Sequence, residues 1–212
     1  MQRFLLFCGV ASPLLYAFAD AWTGLRWEAY SFRDQTISEL GAIGAPSRPL
    51  FAALLVVVYA LLLAFGLGVR RSAGRRPRVR SVGTLVIVLA VLALTAGQAA
   101  AMRPRGTPQG LAGAMHLGEG AVAMLLLLLA MGLASTAFGA RFRRYTWATI
   151  ALVLALGGWT ARAAGIVEAG GPTPWLGVQE RVWWYGYQLW FAVLALTVLR
   201  QSAADPSPRS SA

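Results

Sequence analysis

Six apolar runs, each about twenty residues long, constrain this chain more than any other feature of its sequence. A helix rises 1.5 Å per residue, so about 20 apolar residues cross a hydrocarbon core about 30 Å thick. Links rich in arginine, glycine and proline separate the runs. The pattern predicts an all-α fold, a polytopic membrane protein whose single domain, residues 1–200, is a bundle of six transmembrane helices. The predicted helices cover residues 4–22, 49–69, 81–101, 112–138, 145–164 and 178–199.

The composition favours this class of protein. Hydrophobic residues make up 58% of the 212 residues and charged residues only 13%, whereas soluble domains carry about a quarter charged residues. The formal net charge of +11 comes from arginine alone, because the chain contains no lysine. The arginines lie in short links between apolar runs and not on one soluble face, so no nucleic-acid partner is predicted.

The distribution of arginine predicts the orientation of the helices. Twelve arginines lie in the termini and in the links at 70–80 and 141–144, whereas five lie in the first and third links. Excess positive charge stays in the cytoplasm. We therefore expect a multi-pass protein of the inner (plasma) membrane with both termini in the cytoplasm. Residues 201–212, rich in serine, alanine and proline, are then expected to form a disordered cytoplasmic tail.

The first apolar run has two interpretations. Residues 4–22 are long enough for a retained transmembrane helix, which is the favoured interpretation. The stretch 17–19, Ala-Phe-Ala, also resembles the small-residue cleavage site of a signal peptide after a short basic start. Removal of this segment is therefore the alternative.

The longest polar stretch, residues 30–46, lies in the first outer link. Thr36 and Glu39 have the spacing of a capping box, in which each end of the motif satisfies a backbone N–H group of the other. The spacing predicts a short interfacial or re-entrant helix from Thr36 to Leu40, which would form a lid over the ends of the long helices. Glu39 is either the cap of this helix or a residue of a pocket below it.

Ionisable residues near the predicted helix boundaries concentrate on the same side as this stretch. Charge at membrane depth is expensive, so such residues usually face the bundle interior or a wet cavity and pair with one another. We therefore predict an outward-facing polar pocket. Its candidate binding residues are Asp20, Ser38, Glu39, His116 and Arg181.

Two of these positions suggest chemistry. His116 and Glu119 share one helical face, so the histidine could act as a general base oriented by a carboxylate; the candidate catalytic residues are His116, Glu119 and Glu39. Alternatively, His116 only hydrogen-bonds the outer loop at the start of its helix. Arg181 is either a clamp for an anionic headgroup or substrate, or the partner of Glu39 or Asp20 in an ion pair that holds the loop down.

No metal and no cofactor is predicted. A single histidine excludes a three-histidine zinc site and a haem held by two histidines of the chain. A mixed metal site with Asp20, Glu39 or Glu119 is the remaining alternative. The one cysteine, Cys8, lies within the first apolar run and can form no disulfide within the chain.

Three features carry a resemblance to a known family. They are the run T-I-S-E-L-G-A-x-G-A-P at residues 36–46, a histidine that opens the fourth helix, and the pair Glu180 and Arg181 that opens the sixth. Together they resemble the prokaryotic membrane proteins of domain of unknown function 998 over nearly the whole chain. The resemblance implies a six-helix bundle and no established activity. The chain departs from the family in having Arg103 and Arg105, and no acidic residue, in the link after the third helix.

The predicted function is that of an integral membrane protein whose outer pocket binds a lipid headgroup or a small anion. Membrane lipids are the expected partners. The alternative is a membrane-embedded hydrolase or lipid-modifying enzyme that uses His116 as general base. A transporter is disfavoured, because no ionisable residue falls in the inner half of any predicted helix.

Overall fold

A computed structural model describes residues 1–204, and within that range it contains helices joined by turns and links, without strands. The helices are α1 (Gln2–Leu25), α2 (Ile37–Leu40), α3 (Arg48–Arg71), α4 (Pro77–Ala99), α5 (Gly110–Ser135), α6 (Ala140–Arg162), α7 (Ala164–Glu168) and α8 (Leu176–Ala204). Six of them are long and apolar enough to cross a membrane. The all-α, polytopic fold class is therefore confirmed, and the short helix expected in the first link is present as α2.

Several helices are longer than predicted. α4 begins at Pro77, where a proline fits the first helical turn because its missing N–H needs no partner there. α6 begins at Ala140, so the basic stretch after it is helical, in keeping with the high helix propensity of arginine. α8 reaches Ala204, so residues 201–204 continue the helix and do not start the expected tail. The rest of that predicted tail, residues 205–212, lies outside the described residues.

The six long helices form a closed ring. Going round it, α1 contacts α3, α3 contacts α4, α4 contacts α5, α5 contacts α6, α6 contacts α8, and α8 returns to α1. The contact between α3 and α4 is a close backbone approach, because a Cβ atom on Gly83 would lie 2.5 Å from the backbone nitrogen of Arg70. A ring of six helices leaves an interior that side chains must fill or leave hollow.

The two ends of the ring differ in composition. The arginine end holds residue Met1 and the turns at 72–76 and 136–139, and the loop end holds the links at 26–47, 100–109 and 163–175. Towards the arginine end the interior is filled by large side chains that solvent does not reach. They include Leu6, Phe65, Met131, Trp190, Phe191 and Leu194.

The three links at the loop end, which we call the lid, hydrogen-bond to one another and to α8. The Ile43 N–H group donates to the Met102 carbonyl at 2.9 Å and joins the first link to the second. The Gly106 N–H group donates to the Val167 carbonyl at 3.0 Å and joins the second link to the third. Gly177, at the start of α8, touches the first link so closely that a Cβ atom there would collide with backbone oxygens. The lid therefore lies across the ring as one connected layer.

Candidate functional site

Arg181, in the second turn of α8, forms a buried ion pair with Asp20 of α1. Its Nε and one Nη donate to the two carboxylate oxygens at 2.9 and 2.8 Å, which is the bidentate geometry that guanidinium favours. The hydroxyl of Tyr185 donates to the same carboxylate. The side chains of Arg181 and Asp20 are 12% and 2% exposed. α1 and α8 are thus tied together directly below the lid.

The remaining N–H groups of Arg181 hold the first link. One Nη donates to the carbonyl oxygens of Phe32 and Gln35 at 3.0 and 3.2 Å, and the other donates to the Tyr30 hydroxyl at 2.6 Å. Burial raises the pKa of Tyr30 well above its usual value, so its hydroxyl stays protonated and donates to the Thr36 carbonyl at 2.8 Å. All five N–H groups of Arg181 are therefore engaged, which leaves none for an anion.

A second buried ion pair joins Glu39 of α2 to Arg105 of the second link. Nε and one Nη of Arg105 donate to the two carboxylate oxygens at 3.0 and 2.7 Å. The carboxylate also accepts the Thr36 N–H group at 3.0 Å and the Gln35 side-chain amide at 3.0 Å. Glu39 is 1% exposed. It therefore serves as the cap of α2 and as an anchor between two links of the lid.

Below the lid, the ring encloses a cavity of about 870 Å³. This volume is within the range of roughly 300–1,000 Å³ that is usual for small-molecule sites. Apolar side chains such as Leu62, Leu89 and Leu127 line part of it. The polar lining includes Ser38, Tyr59, His116, Glu119, Glu180 and Gln188. No arginine of residues 1–204 belongs to the lining.

His116 and Glu119 meet at this cavity from α5. The imidazole Nδ1 lies 2.9 Å from the Ala100 carbonyl oxygen, which can only accept, so Nδ1 carries the proton and the neutral ring has an acceptor at Nε2. Glu119 is nine residues beyond Gly110, hence about 14 Å along α5 from the loop end. Within the described part of the chain, it belongs to no ion pair.

Glu180 also faces this space. It lies in the first turns of α8, is 4% exposed and lines the cavity. Its carboxylate accepts the N–H group of Ile37, the first residue of α2. Across residues 1–204 no arginine forms an ion pair with it. Glu180 thus connects the cavity wall to the lid without an arginine partner among the described residues.

The cavity opens to the side between α5 and α6. Leu117 and Leu154 both line it, yet each is 53% exposed. Gly120 and Gly158 also line it, and no heavy atom lies within 4 Å of the position of a Cβ atom on either. We call the gap bounded by these four residues the α5–α6 window. In a membrane, this window faces the acyl chains of the surrounding lipid.

The structure divides the predicted pocket into two parts. Ser38 and His116 line the cavity, together with Glu119. Asp20, Glu39 and Arg181 lie outside it, in the ion pairs of the lid. The structure therefore does not bring all of these residues into one cavity, and their role in binding stays a prediction. The physical reason is that Asp20 and Glu39 are buried and each is held by an arginine at contact distance, so Arg181 and Arg105 are engaged in the lid.

Two residues that matter here were absent from the predicted site. In the sequence, Arg105 stands out only as a departure from the family pattern. Its positive charge, in a link at the same end of the bundle as the negative Glu39, is the signal that could have paired the two residues. Glu180 was noted only as the neighbour of Arg181. Its position in the sequence carries no signal that its side chain, and not that of Arg181, faces the cavity.

A metal site was the other alternative from the sequence. In the described portion of the chain, no group of three or more histidine, cysteine, aspartate or glutamate side chains could hold a metal ion. The candidate metal ligands are dispersed, because Asp20 and Glu39 are held by different arginines. The residues present therefore do not fit the mixed site.

Six long apolar helices around a cavity are the structure of an integral membrane protein of six transmembrane helices. The sequence profile of the family described as "Protein of unknown function (DUF998)" matches residues 10–197. The chain therefore belongs to that family, as its motifs predicted. Comparison with curated proteins gives no match, and comparison with solved structures gives none either.

Proposed function

We propose that this protein binds a membrane lipid, with the polar end of the lipid inside the cavity and its chain in the α5–α6 window. The observation that carries the proposal is that one cavity has a polar interior and a lateral opening towards the acyl chains. A water-soluble ligand would need no such opening. A lipid needs both parts, because its head requires hydrogen-bond partners and its chain requires an apolar exit.

The closure of the lid supports this proposal. The lid is held shut by two ion pairs, Arg181 with Asp20 and Arg105 with Glu39, each of which has bidentate geometry. Entry through the lid would require separating such a pair together with its hydrogen bonds. Entry through the window requires only that lipid chains move aside. The membrane is therefore the easier source of a ligand than the aqueous phase.

The arginine distribution supports an orientation with the lid outside the cytoplasm and both termini inside it. The polar end of the lipid would then come from the outer leaflet. A reporter enzyme that is active only outside the cytoplasm, fused after Arg76, should stay inactive. Activity of that fusion would reverse the orientation but would leave the cavity and its window unchanged.

The proposal is tested by native mass spectrometry of lipids that co-purify with the protein in a mild, uncharged detergent. Gly120→Trp places a large side chain in the window, where a Cβ atom meets nothing within 4 Å. We expect bound lipid to fall about tenfold or more, which corresponds to a loss of about 1.4 kcal/mol in binding.

Gly118→Trp is the matched control. Gly118 is on the same helix and also has open space around it, but it does not line the cavity. Its lipid content should equal that of the wild type. Equal lipid content in the Gly120 and Gly118 variants would contradict binding through the window.

A second candidate function is hydrolysis or modification of the bound lipid. The observation in its favour is His116, whose Nδ1–H group is fixed on the Ala100 carbonyl while the residue lines the cavity. Such a ring has the tautomer of a general base that acts through Nε2. If His116 is a base, His116→Gln should abolish turnover of ester-linked lipids in vesicles and leave the yield of folded protein unchanged. A fall in thermal stability without any wild-type turnover would assign His116 a structural role.

A further inference from the structure

We propose that the lipid in this cavity carries an ammonium group, and this inference rests on the proposed function above. Three glutamates line the cavity, Glu119, Glu168 and Glu180, and no arginine of the described residues lines it. Glu168 accepts the Gln109 N–H group at 2.9 Å, and Glu180 accepts the Ile37 N–H group. None of the three belongs to an ion pair found within residues 1–204. The cavity is therefore rich in hydrogen-bond acceptors and lacks a positive charge.

In the lid, each buried carboxylate of an ion pair is neutralised by an arginine. Asp20 and Glu39 are each about as buried as Glu180, and each has a bidentate arginine. An uncompensated carboxylate is costly at membrane depth. Among residues 1–204, neither Glu119 nor Glu180 has an arginine in an ion pair. A bound cation would offset that cost, whereas a phosphate without a countercharge would increase it.

The aromatic lining provides an independent argument for a cation. Trp183, Trp184 and Tyr187 of α8 all line the cavity, and their ring centroids lie between 5.1 and 6.0 Å apart. Aromatic faces attract ammonium groups, more strongly where water is excluded. Aromatic rings and carboxylates around one cavity are the two chemistries that recognise an ammonium ion.

A primary ammonium group also matches the acceptors that are present. It donates three hydrogen bonds in a rotatable arrangement. The carboxylates of Glu119 and Glu180, the hydroxyl of Ser38 and Nε2 of His116 all belong to residues that line the cavity. The chain of the lipid would leave past Leu117 through the α5–α6 window. Binding involves no covalent step.

The test uses three probes with the same chain and different heads: dodecylamine, dodecanol and dodecyl phosphate. Each is added to the full-length protein in an uncharged detergent, and displacement of co-purified lipid is followed by native mass spectrometry. We expect dodecylamine to displace the lipid at a concentration about tenfold lower than dodecanol does, and dodecyl phosphate to be the weakest. Ethanolamine, which has no chain, should displace none.

The variants locate the preference in the cavity. Glu119→Gln and Glu180→Gln should each reduce the advantage of dodecylamine over dodecanol, and Gln at 180 can still accept the Ile37 N–H group. Glu28→Gln removes the same charge from an exposed position outside the cavity and should leave the advantage unchanged. Glu119→Gln provides the test even if the Glu180 variant folds poorly.

The outcomes separate this inference from the proposed function. Equal potency of dodecylamine and dodecanol, or a preference for dodecyl phosphate, would overturn the ammonium inference while lipid binding stands. An amine advantage that persists in Glu119→Gln and in Glu180→Gln would also overturn it. If ethanolamine displaces the ligand as well as dodecylamine does, or if no probe with a chain displaces it, the proposed lipid binding fails as well.

Discussion

The half of the ring at the arginine end is filled by apolar side chains, and the half at the loop end is hollow beneath a lid. In the filled half, Phe65 and Phe191 meet edge to face with their ring centroids 6.4 Å apart, and both are almost fully buried. In the hollow half, His116, Glu119 and Glu180 face open space. Close packing stabilises the first half, whereas the ion pairs of the lid hold the second half together.

This difference shows how a small bundle can contain a binding cavity. Apolar packing at the arginine end fixes the positions of all six helices. The interior at the loop end can then remain unfilled, and its polar residues are placed for a ligand and not for stability. Such a division predicts that the packed side chains and the ion pairs of the lid stabilise the fold whereas the residues that face the cavity do not, and four experiments test it.

The largest effect is expected from Arg181→Met. The change leaves Asp20 buried without its cation and frees the first link, so it should reduce the free energy of unfolding by about 3–5 kcal/mol. Thermal denaturation in detergent measures the loss. The control is Arg33→Met, because the ion pair of Arg33 with Asp34 is exposed, with the arginine side chain 61% accessible. Equal melting temperatures for the two variants would show that the buried ion pair does not hold the lid.

The next largest loss of stability is expected from Phe65→Ala. The ring fills the interior of the arginine end and is 0% exposed, so its removal creates a cavity and should cost about 3 kcal/mol. Leu117→Ala, in the hollow half, removes a side chain that is 53% exposed and should change the melting temperature little. Similar losses in both variants would contradict the division into a filled half and a hollow half.

Glu119→Met should act in the opposite direction. The carboxyl group lines the cavity without an ion-pair partner among the described residues, so replacing it with an apolar side chain of similar length should stabilise the protein by about 1 kcal/mol. The gain should appear as a higher melting temperature in detergent and should accompany weaker lipid binding. A lower melting temperature would assign Glu119 to the stabilising framework and remove it from the site.

The smallest effect on the stability of the lid is expected from lowering the pH. The hydrogen bond from Arg33, assisted by the Trp175 N–H group, lowers the pKa of Asp34. Because the folded-state pKa is below the unfolded value of about 3.9, the stabilisation is complete above that value and is lost as the pH falls through the folded pKa. Hydrogen exchange in the lid should therefore increase below about pH 4. The Asp34→Asn protein should lack this change, and an unaltered acid response in that variant would exclude Asp34 as its source.

The sequence was sufficient to predict the helices, because crossing a membrane requires apolar length that can be counted along the chain. It also predicted α2, since the capping spacing of Thr36 and Glu39 is local. The helix ends were less predictable. Arginines were expected to mark links, but at 78, 80, 141, 143 and 144 they lie within α4 and α6, where arginine is a good helix former.

The candidate site was predictable only in part. The sequence placed polar residues at one end of the bundle, and Ser38 and His116 do line the cavity there. It did not determine which carboxylate each arginine would contact. Arg181 contacts Asp20 across 161 residues of sequence, and Arg105 contacts Glu39 across 66. Such pairings depend on distances in the folded ring, which no local pattern records.

By itself, the sequence determined that six apolar helices cross a membrane, that a short capped helix lies in the first link, and that ionisable residues gather at one end. The tertiary structure alone decided which of those residues stabilise the lid and which face the cavity, and it opened the window between α5 and α6. The reason is physical. Hydrophobic length and helix capping act over a few neighbouring residues, whereas charge compensation and cavity shape arise only when distant helices meet.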